Sequence, residues 1–249
     1  MNKQYQELQV QPGTFIPQPA LDYPQENPFE RTLFPKHVKD IVFDEHYPYL
    51  DDSITYKFNT IWGYYLIVHF FLRLKLRLQM GLRIKGREVL KQYKQELSHG
   101  AITIANHVYR LDCPCVLLAV NAKHTTRIPM FAPNFRTKDG FFMRLAGGVP
   151  IPDSATNMSA LKKFNEAFDE FHRRGWWFHI FPEACRWDFY KPLRPFQKGA
   201  FTMSYKYAKP LLPCVITYRE RKGIFRIFGK KDMPLLTITI GEPILPDTT

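Results

Sequence analysis

The chain is poor in the features that define several large classes of protein. It has 4 cysteines in 249 residues, too few and too scattered for a disulfide framework. Cys113 and Cys115 lack a second pair of ligands at zinc spacing, which argues against a metal site. The N-terminal residues do not form a basic segment followed by an apolar run, so we expect no signal peptide. These absences favour a reducing, cytosolic setting.

Two sequence motifs with a known chemistry are also missing. No Gly-x-Ser-x-Gly elbow occurs, which argues against a hydrolase with an activated serine. No recognised nucleic-acid-binding motif occurs either, so we expect no nucleic-acid partner despite a net charge of +12.

The charge is unevenly spread along the chain. Residues 1–50 carry 4 Lys and Arg against 7 Asp and Glu, a net charge of −3, whereas residues 51–249, with 31 against 16, carry +15. A basic body behind an acidic leader suggests an anionic partner, such as an anionic lipid, a phosphorylated substrate or an acidic carrier protein. The alternative is that the charge serves solubility alone.

The chain lacks an apolar run that could cross a bilayer. The longest uncharged apolar stretch, residues 58–72, has fifteen residues and would span roughly 22 Å as a helix, short of the ~30 Å hydrocarbon core. Residues 54–80 nevertheless have a helical, aromatic-rich pattern, and Arg73, Lys75 and Arg77 follow the apolar part. This pattern predicts a helix that lies in one leaflet on an anionic membrane surface. The alternative is an ordinary helix buried against the domain.

Three regions follow from these patterns. Residues 1–53 form a Pro-rich, acidic arm, since residues 1–50 hold 7 of the 20 prolines, and we expect it to wrap the body or lie loose. Residues 54–80 form the membrane-associating helix. Residues 81–249 form a catalytic domain of alternating strands and helices.

The alternation predicts an α/β fold with a mixed, largely parallel sheet flanked by helices. We expect strands at 82–88, 101–105, 127–132, 176–181, 212–218 and 235–240, with an extended stretch at 149–152. We expect helices at 89–97, 113–122, 141–145, 158–174 and 199–208. Functional side chains should gather where the parallel strands end.

A first polar pair lies between a predicted strand and a predicted helix. The apolar run 102–104 ends at Asn106 and His107, and Pro114 fits the first turn of a helix because proline needs no amide donor there. A loop between His107 and Asp112 therefore allows the two side chains to meet. Such a pair suits proton transfer, in which a neutral imidazole takes a proton from a hydroxyl while a carboxylate holds the other ring nitrogen. The alternative is that Asp112 only caps the helix and His107 only ends the strand.

A second polar cluster follows the predicted strand 176–181. Glu183 and Arg186 leave this strand together, and three further cations follow: Lys191, Arg194 and Lys198. An arginine at a strand end is fitted to bind a phosphate through two parallel hydrogen bonds, and the lysines add charge. The alternative is that Glu183 and Arg186 pair with each other in a loop.

The order and spacing of five blocks resemble those of the PlsC-type glycerolipid acyltransferases, which include the 1-acylglycerol-3-phosphate acyltransferases. The blocks are Asn-His-x4-Asp at 106–112, Gly-Gly-Val-Pro-Ile-Pro-Asp at 147–153, Phe-Pro-Glu-x-x-Arg at 181–186, Pro-Phe-Gln-Lys-Gly-Ala-Phe at 195–201 and Leu-Pro-Cys-Val-Ile at 212–216. The resemblance covers about residues 82–245. It implies a glycerol-3-phosphate acyltransferase-like αβ domain preceded by a membrane-associated helical segment.

The resemblance implies roles for individual residues. His107 would be the general base and Asp112 its orienting partner, Glu183 and Arg186 would bind the glycerol-phosphate acceptor, and Pro213 would shape the acyl-donor side. We expect three further substrate-binding residues: Asn106, Arg194 and Lys198. It implies no metal, no cofactor and no acyl-enzyme. The acceptor hydroxyl would attack the thioester of acyl-carrier protein or acyl-CoA directly, and both donors are acidic, which suits the basic body.

The chain departs from the family pattern at two places. Ala184, Cys185 and Trp187 stand where most relatives have Gly, Thr and Ser in the third block. Asp153 stands near the position of an arginine that helps to hold the acceptor phosphate, and this change should weaken phosphate binding unless another cation compensates; the candidates are Lys138, Arg144 and Arg194. A separate hypothesis has Trp187 covering an acyl chain or a less charged head group.

The sequence thus predicts an acyltransferase that adds a fatty acyl group to a lysophospholipid, with 1-acylglycerol-3-phosphate as the leading acceptor and phosphatidic acid as the product. We expect it at the cytoplasmic face of the cell membrane as a peripheral or monotopic protein. One alternative keeps the chemistry but uses another lysolipid or lipid-like alcohol. Another is a non-catalytic member that binds membrane or acyl-carrier protein.

Overall fold

A five-stranded sheet lies at the centre of the protein. The structure, a computed structural model, describes residues 13–17, 21–24, 26–153, 157–227 and 233–247. The strands are β1 (Arg83–Lys85), β2 (Ile102–Ala105), β3 (Ile128–Met130), β4 (Gly148–Pro150), β5 (Phe178–Ile180), β6 (Leu211–Arg219) and β7 (Leu235–Ile240). The main sheet has the order β1-β7-β6-β2-β5, and β3 and β4 form a separate parallel pair.

The main sheet is largely parallel, as predicted. β1 pairs with β7, and β2 pairs with both β5 and β6, all in parallel, whereas β6 and β7 run antiparallel. All four residues of β2 are buried, because a central parallel strand is covered on both faces. Three of them are apolar, and the hydroxyl of the fourth, Thr103, donates to the carbonyl oxygen of Phe178. The carboxyl end of β2 leads directly to His107.

Helices cover the sheet and join its strands. They are α1 (Ile54–Tyr64), a π-helical segment (Tyr65–Leu72), α2 (Arg73–Leu78), α3 (Val89–Gln92), α4 (Asp112–Ala119), α5 (Gly140–Leu145), α6 (Met158–Arg173) and α7 (Gly199–Tyr207). The α6 helix buries Ala167, Phe168 and Phe171 against the sheet, and Gly175 follows its end with a φ of 68°, a conformation typical of a helix C-terminus.

The predicted elements differ from the observed ones mainly in length. The strand predicted at 82–88 ends at Lys85, because Gly86 turns the chain with a φ of 79°. A Cβ atom on Gly86 would collide with the carbonyl oxygen of Ile240, so only glycine fits there. The helix predicted at 89–97 ends at Gln92. Short 3₁₀ helices at Ala132–Arg136 and Gly223–Arg226 were not predicted.

Residues 54–78 form one continuous helix with two different faces. Ser53 begins it by accepting the backbone N–H of Tyr56, and Tyr64, Val68 and Leu76 are fully buried. On the opposite side an apolar stripe recurs every four residues, each member between 49% and 87% exposed: Ile54, Phe58, Trp62, Leu66, Phe70, Leu74 and Leu78. Among the described residues, no helix combines the length and the apolar character needed to cross a membrane.

The described part of the N-terminal arm lies against the body. Phe15 is buried beside Phe189, and Tyr23 stacks on Trp187 with ring centroids 5.7 Å apart. Farther along, the backbone N–H groups of Val38 and Lys39 both donate to the carbonyl oxygen of Arg136. The described arm thus wraps the domain. The prediction for residues 1–12, 18–20 and 25 lies outside the described residues.

Candidate active site

His107 and Asp112 meet across the loop between β2 and α4. The His107 Nδ1 atom lies 3.1 Å from Asp112 Oδ2. The same carboxylate oxygen accepts the backbone N–H groups of Val108 at 2.6 Å and Tyr109 at 2.7 Å. Three donors from one loop therefore converge on Asp112, the first residue of α4, and this network holds the imidazole through Nδ1. The Nε2 atom remains to accept a proton from a substrate.

Burial sets the protonation of this pair. Asp112 is fully buried, which raises the pKa of its carboxyl group, while the N–H donors of Tyr109 and Val108 oppose the rise. Burial, reinforced by the Arg186 guanidinium, lowers the pKa of His107 to about 3. The imidazole is consequently neutral near pH 7, the state that a general base requires.

Neighbouring groups fix both the ring and the backbone of His107. The ring stacks on Phe181 with centroids 4.0 Å apart and an interplanar angle of 13°. Its backbone N–H donates to Glu183 Oε2 at 3.0 Å, and its carbonyl oxygen accepts the backbone N–H of Trp187 at 3.1 Å. The loop after β5 therefore positions the candidate base.

Glu183 and Arg194 form a buried ion pair under this loop. Arg194 Nη2 lies 3.1 Å from Glu183 Oε2, and the two side chains are 2% and 1% exposed. Glu183 Oε1 also accepts the backbone N–H of Arg194. The alternative in which Glu183 pairs with Arg186 is wrong, because Arg186 instead lies 2.7 Å from Asp188. The acceptor-binding role of Glu183 and Arg194 stays a prediction, and in this structure both side chains are turned into the protein.

His107 opens onto one large cavity of about 1360 Å³. Apolar side chains from several elements line it, including Ile67, Leu72, Met130, Phe142 and Phe181. Five cationic side chains also line it: Arg31, Lys36, Arg110, Lys138 and Arg186. Among the described residues, Asp139 is the one carboxylate side chain in the lining. The cavity thus suits a ligand with an apolar chain and an anionic group.

Three other predicted site residues do not line the cavity. Asn106 is buried and exchanges two hydrogen bonds with the backbone of Ile216, which fixes the end of β2 to β6. Pro213 lies on β6 opposite Ile104. Lys198 is exposed and precedes α7. Binding roles for these three residues stay predictions.

Sequence reasoning missed the arm as part of the site. The carbonyl oxygen of Glu30 accepts the indole N–H of Trp187 at 2.8 Å and the thiol of Cys185 at 3.3 Å. The Arg194 guanidinium also donates to the carbonyl oxygen of Pro28 at 2.9 Å. Two of the unusual residues of the third block therefore bind the arm. The only sequence signal was the presence of an indole and a thiol where relatives have small polar residues.

The same contacts contradict the hypothesis that Trp187 covers an acyl chain. Its side chain is buried, with 2% exposure, beneath Tyr23 and Glu30 of the arm, and it does not line the cavity. Ala184, the other departure, has a φ of 63°. A glycine adopts that conformation at no steric cost, and an alanine there costs about 1 kcal/mol.

Asp153 is neutralised by a neighbouring arginine. Its Oδ2 atom lies 2.6 Å from Arg136 Nη2 and accepts the backbone N–H of Phe43. Of the three cations proposed to compensate for Asp153, Arg144 pairs with Asp51, and Arg194 is the buried partner of Glu183. Lys138 lines the cavity.

Within the described residues, no three His, Cys, Asp or Glu side chains gather in an arrangement that could hold a metal ion.

Comparison with known proteins adds a family assignment. The family model for the acyltransferases, described as "Acyltransferase", matches residues 81–217. A comparison with curated protein sequences finds no match. Seven solved chains match in structure. One is the 1-acyl-sn-glycerophosphate (LPA) acyltransferase PlsC from Thermotoga maritima, with 18% sequence identity, a TM-score of 0.44, and coverage of 79% of this chain and 88% of that one.

Proposed function

Because this chain belongs to the Acyltransferase family, whose model matches residues 81–217, we propose that it is the enzyme that transfers a fatty acyl group from a thioester to a lysophospholipid. The leading acceptor is 1-acylglycerol-3-phosphate, and the product is then phosphatidic acid. The observation that carries this proposal is the contact of the His107 imidazole with the buried Asp112 side chain, at the wall of a large apolar cavity with cationic side chains.

The reaction follows from this geometry in two steps. His107 Nε2 removes the proton of the acceptor hydroxyl as its oxygen attacks the thioester carbonyl carbon, and Asp112 stabilises the imidazolium that forms. The tetrahedral intermediate then collapses, the C–S bond breaks, and the thiolate takes the proton back from His107. No covalent acyl-enzyme forms, and both protein groups return to their starting state.

The lining of the cavity suits a donor and an acceptor that each combine an apolar chain with an anionic group. Its apolar lining accommodates fatty acyl chains, and its cationic side chains favour phosphate groups. The donor is acyl-carrier protein or acyl-CoA used as a co-substrate thioester. Both donors are acidic, and the net charge of +15 on residues 51–249 favours their approach.

We further propose that the apolar stripe on helix 54–78 rests in one leaflet at the cytoplasmic face of the cell membrane. The stripe carries Phe58 and Trp62, while Lys75 and Arg77 lie near the C-terminal end of the same helix. Apolar and aromatic side chains with adjacent cations suit an anionic interface. Ile67 and Leu72 of this helix line the cavity, so a lipid acceptor can pass from the bilayer to His107 along apolar surface.

One experiment tests donor and acceptor together. Purified protein in anionic liposomes is incubated with labelled acyl-CoA or acyl-carrier protein and with a panel of lysolipids, and products are separated by chromatography. We expect labelled phosphatidic acid from lysophosphatidate. If transfer to an uncharged acceptor is faster, that acceptor takes the place of lysophosphatidate in the proposal. If neither donor gives any transfer, a non-catalytic role in binding membrane or acyl-carrier protein is favoured.

A further inference from the structure

The N-terminal arm forms one wall of the cavity that contains His107. Of the arm residues that the structure describes, six line this cavity: Arg31, Leu33, Phe34, Pro35, Lys36 and Val38. They lie outside residues 81–217, which the family model covers. The arm therefore adds this wall to the part of the chain that matches the family model.

Polar contacts hold this wall at both ends. At one end, the carbonyl oxygens of Pro28 and Glu30 accept hydrogen bonds from Arg194 and Trp187. At the other end, Val38 and Lys39 donate to Arg136, which itself pairs with Asp153. The segment between these anchors is consequently held across the cavity.

Arg31 is the arm residue best placed to meet a substrate phosphate. It is partly buried, and its guanidinium carbon lies 3.7 Å from the centroid of the Phe131 ring, a stacking contact that fixes its orientation. The next residue, Thr32, donates its hydroxyl to the carbonyl oxygen of Arg186 at 3.4 Å. Arg31 and Arg186 therefore line neighbouring parts of the cavity.

The chemistry of the acceptor requires a cation close to His107. In a 1-acylglycerol-3-phosphate the reacting hydroxyl and the phosphate are on adjacent carbons, so the phosphate binds near the base. In the donor, by contrast, the phosphates are separated from the thioester by the whole pantetheine arm. Arg136, Arg144 and Arg194 are paired with carboxylates and do not line the cavity. Arg186 also pairs with Asp188, but it does line the cavity, as Arg31 and Lys138 do.

We propose that Arg31, held by the arm, binds the phosphate of the acceptor together with Arg186. This inference rests on the proposed function, because it assumes a phosphate-bearing acceptor. It makes the arm a determinant of acceptor specificity.

The test compares Arg31→Gln with the wild-type enzyme in the liposome assay. The KM for lysophosphatidate should rise on the order of 10- to 100-fold, the effect of losing a hydrogen bond between charged groups. The KM for the acyl donor should stay unchanged, and Arg31→Lys should give an intermediate value. Lys39→Gln is the matched control, since the Lys39 side chain is an exposed arm cation outside the cavity lining. Its anchoring contact with Arg136 is made by the backbone N–H, which the change keeps, so this variant should behave as wild type.

A second measurement separates binding from turnover. In a His107→Ala background, which removes the base, Arg31→Gln should weaken equilibrium binding of lysophosphatidate by a similar factor. An unchanged acceptor KM, a rise in the donor KM instead, or a gain in activity from a released arm would each overturn the role of Arg31. Any of these results would contradict only the role of Arg31, and the proposed function would still hold if the wild-type enzyme acylates lysophosphatidate. If the wild-type enzyme acylates no phosphate-bearing acceptor, both proposals fail.

Discussion

Replacing Asp112 by Asn tests the catalytic pair without opening a cavity. The Asp112 Oδ2 atom accepts hydrogen bonds from His107, Val108 and Tyr109. An Asn oxygen can still accept the two backbone N–H groups, so the loop should keep its conformation. The amide has no charge to stabilise an imidazolium, and its NH₂ group can force the wrong tautomer on the ring.

The expected loss follows from the role of the base. General-base catalysis contributes about 10²- to 10⁴-fold, and the equivalent substitution in a serine-protease triad costs about 10⁴-fold. At about 1.4 kcal/mol per factor of ten, the barrier should rise by roughly 3–5 kcal/mol. The loss should appear in kcat, while both KM values stay close to wild type, because the fully buried Asp112 cannot contact a substrate.

The assay is initial-rate acyl transfer to lysophosphatidate in liposomes, with circular dichroism as a check on folding. Asp169→Asn is a matched control, since Asp169 is a carboxylate on α6 that pairs with Lys206 outside the cavity. It should leave kcat unchanged. A folded Asp112→Asn enzyme with kcat within a factor of about three of wild type would refute the reasoning, because a loss of at least about 100-fold is required.

Three further predictions concern stability, pH and the membrane. Glu183→Ala leaves the Arg194 charge buried without its carboxylate partner and should lower the free energy of unfolding by about 3–5 kcal/mol, measured by urea denaturation. Burial lowers the pKa of His179 to about 3, so below pH 6.5 the unfolded chain binds a proton that the folded chain excludes. Stability should therefore fall by about 1.4 kcal/mol per pH unit from about pH 6 to pH 4 through this residue, and His179→Gln should remove that part of the slope. The double variant Phe58→Ser and Trp62→Ser should lose flotation with anionic vesicles while keeping its unfolding midpoint.

Each of these predictions has a contrary outcome. Lys163→Ala removes an exposed ion pair with Glu166 and should change stability by less than about 1 kcal/mol; a Glu183→Ala effect of that size would mean that the buried pair is not needed. A pH slope that His179→Gln leaves intact would assign the proton uptake to other groups. Ile224→Ser removes an exposed apolar side chain outside the stripe, and equal loss of flotation in that control would remove the special role of the stripe.

Strand and helix positions could be predicted because burial leaves a clear pattern in the sequence. Three of the four residues of β2 are apolar, and the apolar residues of α6 recur at helical spacing. The antiparallel pairing of β6 with β7 leaves no such pattern. Buried and exposed residues alternate along part of β6, and β7 is mostly buried, and parallel strands can show the same patterns. Strand ends were less certain because single residues such as Gly86 decide them.

The meeting of His107 and Asp112 was predictable from a short loop, whereas longer-range partners were not. Arg186 stands closest to Glu183 in sequence among the cations of its block, yet Arg194 is the observed partner. The arm was hidden for a related reason, because it binds through backbone carbonyl oxygens of Pro28 and Glu30. Backbone groups are the same at every position, so a sequence pattern cannot indicate which of them will be used.

The anchoring of the arm has a consequence for synthesis on the ribosome. The contacts of Pro28 and Glu30 with Arg194 and Trp187 join residues separated by 166 and 157 positions. At 5–20 residues per second, roughly 10–30 s pass between translation of the two sides. During that interval the arm has left the ribosome while its binding surface does not yet exist. The wall of the cavity should therefore be among the last parts of the nascent protein to assemble.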